Sequence, residues 1–519
     1  MADVSEFSIA MSQITSIDMR RPDRLRMPYL YNSDMQRKAS FLLLPTFVFA
    51  ACIGSALFAQ SLLPATSAED RALAREIFKE LIEINTTDTP LGNVSTATAA
   101  MQKRFLEAGF AAEDVRLLGP NARKQNLVVR LRAAAPTTQK PVLFLCHMDV
   151  VQALRSDWST DPFQFVEKDG YYYGRGTQDM KESDAALVAT FLRLHREGYR
   201  PRRDLILALT ADEEGGQFNG AKWLVQHHRE LVDAAYVINP DAGGVELDHG
   251  RVVVADVEAT EKVYSDFQVT ATNRGGHSSL PRPDNAIYEL TAALNKLAAY
   301  SFPFELNDVT RTYFKNLVGQ EKGQTGSDLR AILASPPDLS AAERLSTDPS
   351  FNSNFRTTCV ATRLNAGHAN NALPQTAQAI VNCRIFPGHS PEAIRQQLIG
   401  LFNDANLSVK YVSNGVISDI APERKAMVPP APIAEVFEPL TRLTQTIWPG
   451  TSVTPEMENG ASDSIYFTEA GIPCYGYSAI ALERDDIRAH GRDERLPVDS
   501  YWKSLDFFYS FAKALGGER

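Results

Sequence analysis

Cysteine is scarce in this chain: five in 519 residues, with no close pair and no CxxC spacing. A disulfide framework is therefore not indicated, even for an exported protein. Basic residues are the minority charge, 53 Lys and Arg against 63 Asp and Glu, for a net charge of −10. No Lys/Arg stripe interleaved with aromatics occurs, which excludes nucleic acid as an expected partner. Low-complexity tracts and internal repeats are also missing, so solenoid and propeller architectures drop out. What remains has ordinary globular composition and is too long for one comfortable core, which makes two domains the first expectation.

The N-terminus departs from this. Gln36-Arg37-Lys38 precedes an apolar stretch from Phe41 to Phe58 and the small-residue segment Pro64 to Ala68, in the order of a secretory signal peptide. Met35 directly before the basic pair reads as the true start, with residues 1–34 carrying no fold. The expectation is an exported protein, periplasmic or secreted after cleavage; an uncleaved membrane anchor is the alternative.

Metal-seeking residues close several short apolar runs. His147 follows Pro141-Val-Leu-Phe-Leu-Cys, Asp179 closes Gly174-Arg-Gly-Thr-Gln-Asp, Glu213 and Glu214 follow Asp204-Leu-Ile-Leu-Ala-Leu-Thr-Ala-Asp, and Asp241 follows Ala235-Tyr-Val-Ile-Asn-Pro. Such runs are strands of a buried parallel sheet, and ligands bind beyond the carboxyl ends of those strands. One imidazole with several carboxylates suits zinc or a similar divalent ion, and a metal pair needs a carboxylate able to bridge it. Cys146, beside His147, reads as a core thiol because strand neighbours face opposite ways.

The spacing of apolar residues predicts a helix at 67–84 and another at 95–108. Strands follow at 126–132 and 142–146, then a helix at 184–197, a strand at 205–209, a helix at 221–230 and a strand at 236–238. This alternation is α/β with a mostly parallel sheet. From about Tyr264 the rhythm becomes period-two, with strands at 264–272, 357–364, 377–386 and 408–412 and helices at 286–300 and 391–402, a small α+β domain. Residues 302–355 read as a long irregular insertion. After Pro430 the α/β pattern returns with helices at 433–447 and 464–470, a strand at 473–477 and a terminal helix carrying Tyr501, Leu505, Phe508, Ala512 and Leu515. The expected organisation is an upstream segment with the signal (1–66, the signal itself about 35–59), a catalytic domain in two parts (67–260 and 421–519) and an inserted lid or dimerisation domain (261–420).

Together, His147-Met-Asp149, Gly174-Arg-Gly-Thr-Gln-Asp179, Asp212-Glu-Glu-Gly215, Pro240-Asp241, Gly275-Gly-His277-Ser, Asn371-Ala-Leu-Pro374, Arg384, Gly460-Ala-Ser-Asp463 and His490-Gly491 resemble, in order and spacing, the M20 family of metallopeptidases and aminoacylases. The resemblance implies two divalent ions, zinc first with manganese or cobalt acceptable to such a carboxylate-rich site. It makes Asp179 the bridge, His147 and Asp241 the ligands of one ion, and Glu214 and His490 those of the other. Glu213 becomes the general base; Asp149, two residues beyond His147 and so on the same side of an extended chain, fits a carboxylate that orients the His147 imidazole. It further implies that His277 donates to the substrate carbonyl, in dimeric members that of the neighbouring subunit, that Arg384 holds the substrate carboxylate with Asn371 assisting, that Gly460 lines the substrate site, and that the Asp179–Met180 bond is cis.

The expected substrate is a small peptide or N-acyl amino acid, cleaved at the amide bond next to a free carboxylate, and a homodimer through the inserted domain is an open expectation. Two alternatives stand beside this: a dipeptidase that recognises a free amino terminus, and a metal-free binding relative. His195, His227, His228, His249, His368 and His389 read as ordinary helix and loop residues.

Overall fold

Leu205–Thr210, Val142–His147, Tyr236–Asn239 and Cys474–Gly476 are almost devoid of polar residues, and every position in them is buried. A computed structural model, which describes residues 66–413, 415–422 and 432–517, lays them side by side and parallel at the centre of a ten-stranded sheet. Strands covered on both faces need apolar side chains on both, hence continuous rather than alternating runs. Phe144 and Cys146 pack into one layer with helices Ala68–Glu83, Val94–Glu107, Lys181–Arg196 and Val498–Gly516. Leu143 and Leu145 pack into the other with Gly220–His227 and Ser464–Glu469. Antiparallel strands flank this centre: Val115–Leu118 and Asn126–Leu131 on one side, Arg251–Glu261 and Gly244–Asp248 on the other. The parallel strands all end at one rim, where loops can present side chains to a ligand.

A separate five-stranded sheet is antiparallel throughout, in the order Thr358–Ala366, Thr376–Ile385, Val263–Thr272, Leu407–Ser413, Val416–Ser418. Alternate residues of Val263–Thr272 and Thr376–Ile385 are buried against helices Ala286–Ala298 and Pro391–Phe402, which explains the period-two pattern. The fold is α/β with a smaller α+β lid. The segment read as a signal, 35–59, and Met35 lie outside the described residues. Among the described residues no helix is long and apolar enough to cross a membrane.

Several expectations need correction. Residues 302–355 are not irregular: helices Asp308–Val318, Gly323–Ile332, Leu339–Leu345 and Pro349–Phe355 close around Phe314, Leu329, Ile332, Ala341 and Phe355. Asn307, Asp338 and Asp348 cap three of them, a cap pattern that could have marked these helix starts but was not read. Strands Gly244–Asp248 and Arg251–Glu261 were not foreseen; His249-Gly250 turns between them, both residues at positive φ, as a tight hairpin requires. The helix expected at 221–230 breaks at His228 into Gly220–His227 and Arg229–Val232.

The absence of disulfides also fails. Cys359 and Cys383 stand directly opposite one another on paired strands and are bonded. Replacing both by alanine should lower the stability of the five-stranded sheet by about 3 kcal/mol, because the bond closes a loop of 24 residues in the unfolded chain. Urea unfolding measures this, and coincident curves for variant and parent would contradict it.

Candidate metal centre

His147 is the last residue of its strand, Asp241 stands two residues beyond Tyr236–Asn239, and Glu213 and Glu214 lie in the turn that follows Leu205–Thr210. Asp179 ends the loop before helix Lys181–Arg196, and its bond to Met180 is cis, as the resemblance implies. His490 comes from the loop between Ala481–Glu483 and Arg495–Pro497. The sheet thus fixes His147, Glu213, Glu214 and Asp241 through strand ends, while Asp179, expected to close a strand of that sheet, and His490 both arrive on loops.

The two oxygens of Asp179 face different histidines. Oδ1 lies 3.1 Å from His147 Nε2, which is also 3.3 Å from Asp241 Oδ1. Oδ2 lies 2.9 Å from His490 Nε2, which is 2.8 Å from Glu214 Oε2. The ligand atoms of His147, Asp179 and Asp241 are all within 4.8 Å of one another, and so are those of Asp179, Glu214 and His490. Glu214 Oε1 is buried with no hydrogen-bond partner among the described residues. A carboxylate oxygen in that state is costly unless a cation faces it, and the nitrogen and oxygen donor set is one that zinc-like ions accept. The residues fit divalent metal.

Glu213 belongs to neither group, although its Oε2 comes within 4.0 Å of His147 Nε2. Burial first, and then the charge of Asp241, pushes its carboxyl well above the usual range, against the opposing pull of His147. A carboxylate whose basicity is raised in this way is suited to accept a proton.

Asp149 does not hold the imidazole in the way expected. His147 Nδ1 donates to the Asp149 backbone carbonyl at 3.0 Å, whereas the carboxylate is 3.9 Å away. That bond fixes the tautomer and leaves Nε2 free to ligate. The carboxylate instead accepts the backbone N–H groups of Glu213 and Glu214, both at 3.1 Å. The chain turns after His147 so that the side chain of Asp149 faces the neighbouring turn, and burial raises its pKa to about 7.

Other supports were not singled out from sequence. Asp463 accepts from the Thr210 hydroxyl at 2.9 Å and from Asn219 Nδ2 at 2.7 Å, and Asn219 also donates to the Asp212 carbonyl. Lys124 pairs with Asp212 and Asp88. Asp212 adopts φ 58°, and a Cβ on Gly216 would come within 2.4 Å of its Oδ2, so glycine is required there. Asp463 had stood in a quoted motif without a role; nothing in the sequence around Lys124 marks it.

The remaining residues lie on the lid or near it. Arg384 faces Tyr264 across the strand pair, with its guanidinium 4.7 Å from the ring. Its Nη1 is buried without a hydrogen-bond partner, and no acidic side chain pairs with it among the described residues. His277 and Asn371 are neighbours, since Ser278 N donates to the Asn371 carbonyl and His277 pairs with Ala372. They follow the opposite end of strand Val263–Thr272 from Tyr264, and the eight residue steps from Tyr264 to Thr272 span roughly 27 Å. The structure therefore does not bring them to Arg384. Gly460 lies in the bend after Val453–Glu458, its N–H bonded to Glu458 at 2.7 Å.

The chain resembles solved structures as a whole. The crystal structure of the M20 family metallo-carboxypeptidase Sso-CP2 from Sulfolobus solfataricus superposes with a TM-score of 0.63 at 16% identity, over 85% of this chain and 99% of that one, which is a likeness of fold. In sequence, the chain is 30% identical over 395 residues to a probable carboxypeptidase S-like 2 of Dictyostelium discoideum, covering 72% of this chain and 71% of the relative. It is 26% identical to the human N-fatty-acyl-amino acid synthase/hydrolase PM20D1, covering 85% of this chain and 88% of that protein. Residues 143–514 match the model for peptidase family M20/M25/M40, from the His147 strand to the terminal helix, and the chain belongs to that family.

Proposed function

We propose that this M20 metallohydrolase cleaves the amide bond next to a free carboxylate, in an N-acyl amino acid or at the C-terminal bond of a small peptide. The observation that carries the reading is the division of Asp179 between the His147–Asp241 and Glu214–His490 groups, with the Glu213 carboxylate close to His147 and part of neither group. Two divalent ions, zinc first, would be held by those five residues and would supply Lewis acidity and an acidified water. Glu213 accepts the proton of the attacking water and returns it to the leaving nitrogen. Asp149 holds the N–H groups of Glu213 and Glu214, so that the base and the ligand stay in register.

Arg384 is the group for the substrate carboxylate. A buried guanidinium nitrogen with no partner among the described residues supports that role, because a planar fork matches a carboxylate through two parallel bonds. His277 and Asn371 stand a strand length away, a separation that supports a homodimer through the lid in which they complete the neighbouring site. The Cys359–Cys383 bond supports export to an oxidising compartment. The relatives named for carboxypeptidase S and for N-fatty-acyl-amino acid hydrolysis both support a substrate with a free carboxylate.

Turnover of a panel of N-acyl amino acids and C-terminal peptides by the metal-loaded protein tests this directly. Within that panel, Arg384→Ala should lose about 1.5 to 3 kcal/mol of transition-state binding, roughly ten- to hundredfold in kcat/KM. The loss should be confined to substrates with a free carboxylate. An equal loss on amide-capped analogues would move the reading to a dipeptidase that recognises a free amino terminus.

A further inference from the structure

His490 is the metal-facing residue with the least around it. Its side chain is 55% exposed, against 1% for His147, which the sheet packs on every side. No strand or helix carries it, and its backbone sits at φ 62°. Something other than packing must hold the imidazole at Asp179 and Glu214.

The chain on both sides of His490 is tied to the Asp179 loop by side chains of that loop. Gln178 Oε1 accepts the N–H of Arg488 at 2.7 Å and of Ala489 at 3.0 Å, while its Nε2 donates to the carbonyls of Asp486 and Arg495 at 3.1 and 2.7 Å. Arg175 Nη2 donates to the Gly491 carbonyl at 2.9 Å. Tying the two loops in return, the fully buried Glu494 accepts from Arg175 Nη1 at 2.6 Å and from the backbone N–H groups of Gly176 and Gln178 at 3.1 and 2.7 Å. The residues immediately before and after His490 are thus both anchored, and the anchors come from the loop that carries Asp179.

We infer that Gln178, Arg175 and Glu494 form a clamp of positioning residues that sets the affinity of the metal position at Glu214 and His490 while leaving the position at His147 and Asp241 to the sheet. The inference rests on the two-metal reading above. It makes the two positions unequal in origin: both share Asp179, but one takes His147 and Asp241 from strand ends, while the other takes His490 from a loop held by polar side chains. A weaker, adjustable second position follows from that difference, since loops held by hydrogen bonds open more readily than a packed sheet.

Glu494→Gln is a poor probe, because it leaves the buried Arg175 charge without its partner. Gln178→Met is better, since it removes four anchors and buries no charge. Zinc binding to the full-length protein, followed by competition with a chelator, gives two affinities and a stoichiometry without recourse to activity. Two zinc ions on the parent protein uphold the two-metal reading, and fewer would end it and the clamp with it. In Gln178→Met the weaker affinity should fall by about 10- to 100-fold, the usual effect of removing support behind a ligand, with the tighter one within roughly threefold of the parent. Arg175→Lys, which keeps a charge beside Glu494 but is too short for both of its partners, should shift the same affinity in the same direction, and covers the case in which Gln178→Met fails to fold. On a His490→Ala background, Gln178→Met should leave the affinity of the remaining ion unchanged. A fall in both affinities together, no fall in either, or a further loss on the His490→Ala background would overturn the clamp.

Discussion

Glu213→Gln should keep both metal ions and lose a factor of about 10² to 10⁴ in kcat, the usual contribution of a general base. The substitution preserves shape and leaves the backbone N–H of residue 213 bonded to Asp149, so the turn that places Glu214 is undisturbed. It removes only the proton acceptor. Glu213 is outside both ligand groups, yet its carboxylate is 4.0 Å from His147 Nε2, close enough to meet a water shared between the two groups. Its raised basicity has the same origin as its role: it is buried beside Asp241, and a proton relieves that repulsion. Metal content by elemental analysis and steady-state kinetics on one preparation separate the possibilities. Loss of an ion would make Glu213 a ligand, and near-normal turnover would mean that another group takes the proton.

The features readable in the sequence were those encoded by local composition. Val142–His147 and Leu205–Thr210 are apolar throughout because both faces are covered, and that pattern survives without any knowledge of neighbours. Arg251–Glu261 escaped notice for the opposite reason: Asp256, Glu258 and Glu261 are charged residues in a strand that is largely buried, where charge ordinarily signals surface. Helix Lys181–Arg196 starts a turn earlier than expected because Lys181, Glu182, Ser183 and Asp184 are polar but fully enclosed. The disulfide depended on strand register, which sets Cys359 opposite Cys383 and is invisible to spacing alone.

At the site, apolar strands ending in metal-type residues pointed to the convergence of His147, Glu214 and Asp241, while the resemblance, and not strand topology, made Asp179 the bridge and His490 a ligand, both of which stand on loops. What the sequence withheld was direction. Asp149 was assigned to the imidazole on the alternation of an extended chain, but the strand ends at His147 and the carboxylate turns to the Glu213–Glu214 backbone. Glu494, Lys124 and Asp463 act through contacts with residues 36 to 319 positions away. Only the folded chain brings such pairs together.

Asp179→Ala should abolish tight binding at both metal positions, whereas Asp241→Ala and His490→Ala should each weaken one. The asymmetry follows from geometry: of the two histidines, Asp241 Oδ1 approaches His147 and Glu214 Oε2 approaches His490, whereas Asp179 offers one oxygen to each. Removing it also leaves the remaining carboxylates of the two groups without the residue that joins them. The effect should exceed the roughly 10- to 100-fold loss typical of residues that merely support a ligand, and it should appear in both affinities. Turnover should fall at least as far as in Glu213→Gln, because the base then has no activated water to act on. Zinc stoichiometry is the deciding measurement. Two tightly held ions in Asp179→Ala would show that the histidines and outer carboxylates suffice on their own, and the short contacts between Asp179 and both imidazoles would then need an explanation other than a shared ligand.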